Sequence, residues 1–283
     1  MAIKNLSNLN KYKQIAQIIK NADAIVISAG AGMGVDSGLP DFRGPQGFWR
    51  EYPAIEDLGI RFEEMANPFW FEKEPTLAWA FYGHRLKLYR ETKPHKGFDM
   101  LLEIAKEKKN GYFVLTSNVD GHFPKAGFSD DKIYEIHGSI HHLQCTKPCC
   151  TDIWQAKNLE IQINEKFRAI SKLPVCPKCG RIARPNILMF GDFYWVSMRS
   201  DKQSDRFYNW ISTVKNSKIV VIEIGAGKAV PTIRLKSQRL VRNYNATLIR
   251  INPRDFDVPD GQISLAENAL SAITQIFNEH QKL

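Results

Sequence analysis

Four short apolar runs recur along the chain, and each ends at small or polar residues. They lie at residues 22–30, 110–118, 217–227 and 246–252. Runs rich in Ile and Val, bounded by turn-forming residues, are typical of strands buried on both faces of a parallel sheet. The stretches between them carry apolar residues at helical spacing, as in 76–91 and 95–109. Strands that alternate with helices predict a doubly wound, Rossmann-like α/β fold.

In such a sheet, ligands bind outside the carboxyl ends of the strands, so chemistry is expected just after each apolar run. At the N-terminus, Ile15, Ile18 and Ile19 have the spacing of an amphipathic helix, without the apolar region of a signal peptide. No apolar run approaches the roughly 20 residues that span a bilayer. The sequence therefore predicts a cytoplasmic protein with no membrane partner.

The positive charge changes this picture little. The formal net charge is +9 and the pI is near 9.2. Residues 225–254 contain seven basic residues and no acidic one. A basic surface attracts nucleotides, nucleic acid or acidic proteins without choosing among them. No basic motif with interleaved aromatic residues accompanies it, which favours a solvated helix face over a nucleic-acid site.

All five cysteines lie in one segment, at Cys145, Cys149, Cys150, Cys176 and Cys179. Such clustering favours metal over disulfides in a reducing compartment. The pairs Cys145-x₃-Cys149 and Cys176-x₂-Cys179 predict a tetrahedral zinc site, with Cys150 as the alternative to Cys149. Four thiolates leave no open position for catalysis, so the zinc is expected to be structural.

A glycine-rich turn at 28–44 follows the first apolar run. Gly30 and Gly32 would let backbone amides approach a phosphate. The strict dinucleotide fingerprint needs a third glycine at position 35, which is Val35. Taken alone, these glycines fit a phosphate-binding turn and a tight strand-to-helix connection equally well.

The continuation of this turn, SGLPDFRG (37–44), closely resembles a signature of the sirtuins, the silent-information-regulator family of NAD-dependent protein deacylases, in their bacterial type. Further segments are similar to later sirtuin motifs. They are TSNVDGHFPKAG (116–127), EIHGS (135–139), RPNILMFGD (184–192), IGAG (224–227) and IN (251–252). Several motifs in the same order are far more specific than any one of them.

The resemblance implies NAD as cosubstrate and zinc as a bound metal. His137 would be the catalytic general base, and an unperturbed pKa near 6.5 suits proton removal at neutral pH. Asn118 would bond the ribose or an ordered water, and Asp120 the nicotinamide amide. The implied cofactor contacts are Gly30, Ala31, Gly32, Asp41, Phe42, Arg43, Ser117, Asn118, Asp120, Gly225, Ala226, Gly227 and Asn252.

An acylated protein is the implied substrate, bound as a peptide strand in a groove between domains, near Phe190 and Gly191. Tyr82 and Arg85, spaced to share a helix face, are similar to the Tyr-x-x-Arg pair of sirtuins that prefer succinyl- or malonyl-lysine. An arginine fork at the end of an acyl pocket would bind a carboxylate bidentately. An exposed arginine on an amphipathic helix is the alternative.

The resemblance also divides the chain. An NAD-binding Rossmann-like domain is expected from residues 1–44, 112–139 and 185–283. A helical acyl-pocket segment at 45–111 and a small zinc-binding domain at 140–184 would interrupt it.

Four places depart from the sirtuin pattern: Gly34 replaces a serine, Ser117 a glutamine, Ala226–Gly227 a Thr-Ser pair and Asp192 a glutamate. Because they surround the expected NAD and peptide sites, they keep open a sirtuin-type mono-ADP-ribosyltransferase or NAD glycohydrolase. The net charge of +9 keeps a third alternative open, a non-enzymatic zinc-containing nucleotide- or nucleic-acid-binding protein. His137 is intact, so a deacylase is the first expectation. His141 and His142 are interpreted as connecting residues outside the metal site.

Overall fold

The computed structural model describes residues 2–40 and 44–283, with side chains from residue 10 onward except at 41–46. Asp41, Phe42 and Arg43, which the sequence assigns to the cofactor, lie outside the described residues. The described strands are β1 (Ala24–Ala29), β2 (Tyr112–Thr116), β3 (Ile133–Glu135), β4 (Gly138–Cys145), β5 (Trp154–Gln155), β6 (Ala183–Ile187), β7 (Ile219–Ile224), β8 (Thr247–Ile251) and β9 (Ile263–Leu265).

Helices lie between these strands in the chain, and they include the stretches whose apolar residues have helical spacing. They are α1 (Ala2–Lys20), α2 (Gly32–Val35), α3 (Gly44–Glu51), α4 (Pro53–Glu56), α5 (Phe62–Met65), α6 (Trp70–Lys73), α7 (Pro75–Glu91), α8 (Gly97–Lys106), α9 (His122–Lys125), α10 (Met198–Thr213), α11 (Thr232–Tyr244) and α12 (Ala269–His280). Within residues 2–40 and 44–283, no helix combines the length and the apolar character needed to cross a membrane.

The large sheet is parallel throughout, with the described strands in the order β3-β2-β1-β7-β8-β9. The four predicted apolar runs form its centre as β1, β2, β7 and β8. From β1 the chain adds β2 and β3 on one side of the sheet, and it then adds β7, β8 and β9 on the other side. A crevice opens at such a reversal, outside the carboxyl ends of the two strands.

Alternate residues of β1 enter two separate cores, because successive side chains of a strand point to opposite faces. Ile25 and Ile27 pack on the face covered by α1, α8 and α12. Val26 packs on the face covered by α10 and α11. The doubly wound, Rossmann-like prediction is confirmed.

A second, antiparallel sheet has the order β5-β4-β6 and contains the cysteine segment. Its core is shared with α7, since Ile140 and Leu143 pack in the same cluster as Trp79. The Trp79 indole N–H also donates to the Ala183 carbonyl at 2.9 Å. β4 begins just before the expected limit of 140, and β6 ends just after 184. The exact division into domains stays a prediction.

The helices of the expected segment 45–111 separate into two groups. α3 to α7 pack beside the small sheet, where Phe48, Ile55 and Phe81 are buried together. α8 instead packs on the large sheet, where Phe98 and Leu101 share a core with α1 and α12. The crevice is therefore walled by the large sheet on one side, and by α5, α7 and the small sheet on the other.

Candidate active site

A cavity of about 710 Å³ opens where the order of the large sheet reverses. Its walls come from the loops after β1, β2, β7 and β8, from α5 and α7, and from the chain after β6. The predicted site residues that line it are Gly30, Ala31, Tyr82, Arg85, Ser117, Asn118, Asp120, His137, Phe190, Ala226 and Gly227. The expected cofactor residues and the expected acyl-pocket residues therefore share one space.

Two glycine-rich turns meet backbone to backbone along one wall. A Cβ at Gly30 would lie 2.8 Å from the Cα of Ala226. Gly225 has a φ of +62°, and a Cβ there would lie 2.4 Å from the carbonyl carbon of Gly32. The Gly32 N–H donates to the Gly225 carbonyl at 3.0 Å. These glycines make the tight connection that the sequence allowed, and the same contact exposes Gly30 and Ala31 to the cavity.

Asn118 is oriented by the strand ends around it. Its Nδ2 donates to the Gly30 carbonyl at 3.0 Å, and its backbone N–H donates to Thr116 Oγ1 at 3.0 Å. The preceding Ser117 N–H donates to the Ala29 carbonyl at 3.1 Å, which continues the ladder of β1 and β2. The amide oxygen of Asn118 keeps its capacity to accept from a ligand hydroxyl.

Asp120 is a buried carboxyl at the cavity, 8% exposed. Its Oδ1 accepts the backbone N–H of His122 at 2.9 Å. Burial raises the pKa of the Asp120 carboxyl, and the bond from His122 opposes this rise. A carboxyl bound by one backbone N–H retains acceptor capacity for the amide of a ligand.

His137 lies between β3 and β4 and is half-buried at the cavity wall. Burial lowers the pKa of its imidazole, while a hydrogen bond with the Ser117 backbone opposes the change. The His137 carbonyl accepts the Leu188 N–H at 2.9 Å, which ties this residue to the chain after β6. A neutral imidazole that donates through one nitrogen can take a proton on the other.

Arg85 is only 6% exposed, so the alternative of an exposed arginine on α7 is wrong. Its Nη2 and Nε donate to the Tyr89 hydroxyl at 2.8 and 3.1 Å. The guanidinium carbon lies 5.2 Å from the ring centre of Phe81 and 5.6 Å from that of Tyr82. Burial raises the pKa of Tyr82 to about 12, so its hydroxyl remains a donor.

Tyr89 also lines the cavity, and the sequence motifs missed it. The available signal was its position four residues after Arg85, which places both side chains on one face of α7. The cavity end at α7 therefore presents one buried cation and two phenol hydroxyls.

The chain after β6 forms a rim. Phe190 is 40% exposed and lines the cavity, and its N–H donates to the Ala66 carbonyl at 2.9 Å. Gly191 follows with a φ of +64° and turns the chain back toward the small sheet. Asp192, one of the four departures, then pairs with Arg184 at 2.8 Å, and both side chains are fully buried.

The loops after β7 and β8 form the opposite end of the cavity. Asn252 is fully buried, and its Nδ2 donates to the Ala226 carbonyl at 3.0 Å. Its Oδ1 accepts the backbone N–H groups of Arg254 and Asp255. Asn252 thus supports the wall from behind, and its direct contact with a cofactor stays a prediction. Arg254, Asp255 and Lys228 line this end, and the motifs missed them, although the basic run was visible.

Gly34, another departure, lies beside Leu39. A Cβ at this position would lie 2.9 Å from Leu39 Cδ1. Leu39 is itself part of the cavity lining. A side chain at position 34 would therefore have to displace the end of the flexible Leu39 side chain.

Four cysteine sulfurs lie within 4.8 Å of one another, at Cys145, Cys149, Cys176 and Cys179. The Sγ atoms of Cys145 and Cys179 are 3.6 Å apart, and those of Cys149 and Cys176 are 3.7 Å apart. Cys149 rather than Cys150 belongs to this set. Two turns that converge on one point with four sulfur donors fit a tetrahedral structural site, so the cluster could bind zinc.

The fold and the cavity define a nucleotide-binding α/β protein with an inserted four-cysteine module. A model of the Sir2 family matches residues 30–229, and the chain belongs to this family.

Several relatives resemble the chain over different lengths. An NAD-dependent protein deacylase from Pyrococcus abyssi is 31% identical over 95% of this chain and 98% of its own. NAD-dependent protein deacylase 1 from Caldanaerobacter subterraneus is 34% identical over 64% of this chain. The chain covers 66% of that relative, slightly under two thirds of its length. The solved structure of a Sir2 homologue–NAD complex is 26% identical, covers 95% of this chain and 93% of the homologue, and has a TM-score of 0.67.

Proposed function

We propose that this protein is an NAD-dependent protein-lysine deacylase, and that Arg85 extends its substrates from acetyl-lysine to succinyl- or malonyl-lysine. The observation that carries the proposal is the shared cavity, in which His137 and Asp120 meet Arg85. A buried cation in the same cavity as a candidate general base suits an acyl substrate that carries a carboxylate. The names of both relatives, NAD-dependent protein deacylase, support the same activity.

Each residue has a role that its environment suits. Breaking the nicotinamide–ribose bond builds positive charge on the ribose C1′, so the enzyme must hold the nicotinamide and guard that carbon. Asp120 accepts from the nicotinamide amide, and Asn118 orients the ribose or an ordered water. As in the family, the acyl-lysine carbonyl oxygen attacks C1′ and nicotinamide leaves. His137 then removes the proton of the ribose 2′-hydroxyl, so that this oxygen attacks the acyl carbon. The lysine amine leaves as it takes up a proton, and water adds to the acyl carbon to give O-acyl-ADP-ribose.

The substrate enters from the rim at Phe190 as an extended peptide of an acylated protein. The backbone bond between Phe190 and Ala66 supports this entry, because it brings the small-sheet side and the helical side together at the cavity mouth. An extended peptide can add main-chain hydrogen bonds at such a place. The clustered cysteines also support the predicted cytoplasmic location, since thiols persist in a reducing compartment.

Cys145, Cys149, Cys176 and Cys179 would hold the zinc. A zinc ion bound by four thiolates would stabilise the small domain and would have no open position for a substrate. Its contribution is to keep β4 in place, and this strand begins directly after His137.

Mass spectrometry of products tests the proposal. Wild-type protein is incubated with NAD and with acetyl-, succinyl- and malonyl-lysine peptides, beside His137→Ala. The expected result is nicotinamide and O-acyl-ADP-ribose that depend on both NAD and acyl-peptide, and that are lost in His137→Ala. No nicotinamide release above the NAD-only control would overturn the deacylase assignment.

The same experiment distinguishes the second activity that the departures around NAD keep open. Labelled ADP-ribose attached to protein, without an acyl substrate, would indicate a mono-ADP-ribosyltransferase. Free ADP-ribose under the same conditions would indicate an NAD glycohydrolase.

A further inference from the structure

His141 contacts the loop that carries Asp120, although the sequence indicates only a connecting residue there. It lies in β4, and its Nε2 is 2.8 Å from the backbone carbonyl oxygen of Asp120. The preceding Ile140 N–H donates to the Val119 carbonyl at 3.0 Å. β4 therefore bonds two consecutive carbonyls of this loop, one through its main chain and one through the imidazole.

The turn is shaped to receive this ring. Gly121 has a φ of +73°, and a Cβ there would lie 2.6 Å from His141 Cδ2 and 2.7 Å from its Nε2. The imidazole thus lies against the Gly121 Cα, in space that any side chain would fill. The lack of a side chain at Gly121 thus leaves room for the ring of His141, which lies 20 residues later in the sequence.

The hydrogen bond has a defined direction. Burial lowers the pKa of His141, so its ring is neutral at pH 7. A backbone carbonyl only accepts, so Nε2 carries the proton and donates. The Asp120 carboxyl is held from another direction, by the backbone N–H of His122. The main chain and the carboxyl of Asp120 therefore have separate supports.

We propose that His141 is a positioning residue for the nicotinamide pocket. By holding the Asp120 carbonyl, it sets the direction in which the Asp120 carboxyl meets the nicotinamide amide. This inference rests on the proposed function, which takes Asp120 as the nicotinamide acceptor. His141 acts through Asp120, so its loss affects the binding of NAD and nicotinamide while the acyl-peptide site keeps its affinity.

Three substitutions separate the hydrogen bond from the bulk of the ring. His141→Phe keeps a ring without a donor, and His141→Gln places an amide N–H near the position of Nε2. His141→Asn places its amide nearer to that of Nδ1 and misses the carbonyl. His142→Gln is the matched control. His142 is the next residue of β4, and its partner in the strand register is Gln155 of β5 rather than the Asp120 loop.

Calorimetry measures NAD binding, and nicotinamide-release assays measure nicotinamide inhibition and the KM for acyl-peptide. We expect NAD and nicotinamide to bind about tenfold more weakly to His141→Phe and His141→Asn, because a buried carbonyl loses its donor. His141→Gln should stay within about threefold of wild type, since it restores the donor. The KM for acyl-peptide should remain unchanged in all these variants. NAD and nicotinamide should bind to His142→Gln as tightly as to wild type.

Wild-type affinity for NAD in His141→Phe would overturn the proposal, and so would equal weakening in His142→Gln. If His141→Phe does not fold, the comparison of His141→Gln with His141→Asn decides. If the wild type binds NAD but releases no nicotinamide with any acyl-peptide, the deacylase assignment fails. The calorimetric comparison still decides on His141 in that case.

Discussion

Burial favours the neutral forms of three cavity side chains. It lowers the pKa of the His137 imidazole, and it raises the pKa values of the Asp120 carboxyl and the Tyr82 hydroxyl. Arg85 is the buried cation among them. At the scale of the residue, desolvation therefore favours neutral side chains around one buried guanidinium.

The pH dependence of kcat/KM follows from His137. A general base must be unprotonated, and burial holds its pKa below the ordinary 6.5. Activity is therefore expected to be fully present above that value and to fall with acid, with a midpoint below 6.5. Steady-state rates from about pH 5 to pH 8 measure this limb. A midpoint above 6.5 would contradict the assignment of His137 as the base.

Arg85→Met should reduce kcat/KM for succinyl-peptide by about 10- to 100-fold, because a charge-assisted bidentate contact is lost. Deacetylation should change much less, since an acetyl group has no carboxylate. Lys87→Met is the control, because Lys87 lies exposed on the same helix. Equal losses for both acyl groups would argue against the pocket assignment.

At the scale of the element, the chain after β6 is held by the buried pair of Arg184 and Asp192. The Asp192 carboxylate also accepts the backbone N–H groups of Met189 and Tyr194. One side chain thus joins β6, the rim that carries Phe190, and the start of the next loop. This explains why a carboxylate is retained at a position that departs from the family pattern.

Asp192→Asn should lower the free energy of unfolding by about 3–5 kcal/mol, because it leaves the Arg184 charge buried without its partner. Urea denaturation measures the loss. Glu72→Gln is the comparison, because it breaks the exposed pair with Lys147 and should change stability little. Similar losses in the two variants would show that burial of the Arg184–Asp192 pair adds nothing to the free energy of unfolding.

At the scale of the whole molecule, β4 connects the two sites. It begins after His137, contacts the Asp120 loop through His141, and ends at Cys145 in the cysteine cluster. β4 is therefore one link between the small sheet and the cavity, and the bond from the Leu188 N–H to the His137 carbonyl is another.

Zinc removal by a chelator should lower the thermal midpoint and the rate of nicotinamide release together, because β4 loses its anchor at Cys145. Metal content, thermal unfolding and activity are measured on the same samples. Restoration by added zinc is the control. Full activity after verified metal loss, with an unchanged thermal midpoint, would contradict this link.

Acid is expected to destabilise the fold through His122, which is 1% exposed and whose two ring nitrogens have no hydrogen-bond partner among the described residues. Burial, with Lys125 and His95 nearby, lowers its pKa from 6.5 to about 4. Between these values the unfolded chain binds the extra proton, so stability falls as the pH falls. His122→Gln and His122→Leu should lose less thermal stability than wild type between about pH 7 and pH 5. An unchanged pH dependence in both would contradict this.

The sequence by itself determined the α/β class, the four central strands, the two cysteine pairs and the family motifs. These features are local, since apolar periodicity, glycine turns and short spacings can be read within about ten residues. β3 and β9 escaped this reading because a strand of three residues has no period to detect. The motifs nevertheless identified eleven residues that line the cavity.

Only the tertiary structure decided what holds these residues in place. The burial of Arg85 with Tyr89, the inclusion of Cys149 rather than Cys150, and the contact of His141 with Asp120 depend on how separate segments meet. Such contacts join residues far apart in the chain, and the sequence carries no local pattern for them. Chain order thus specifies which groups are available, and packing specifies which of them act together.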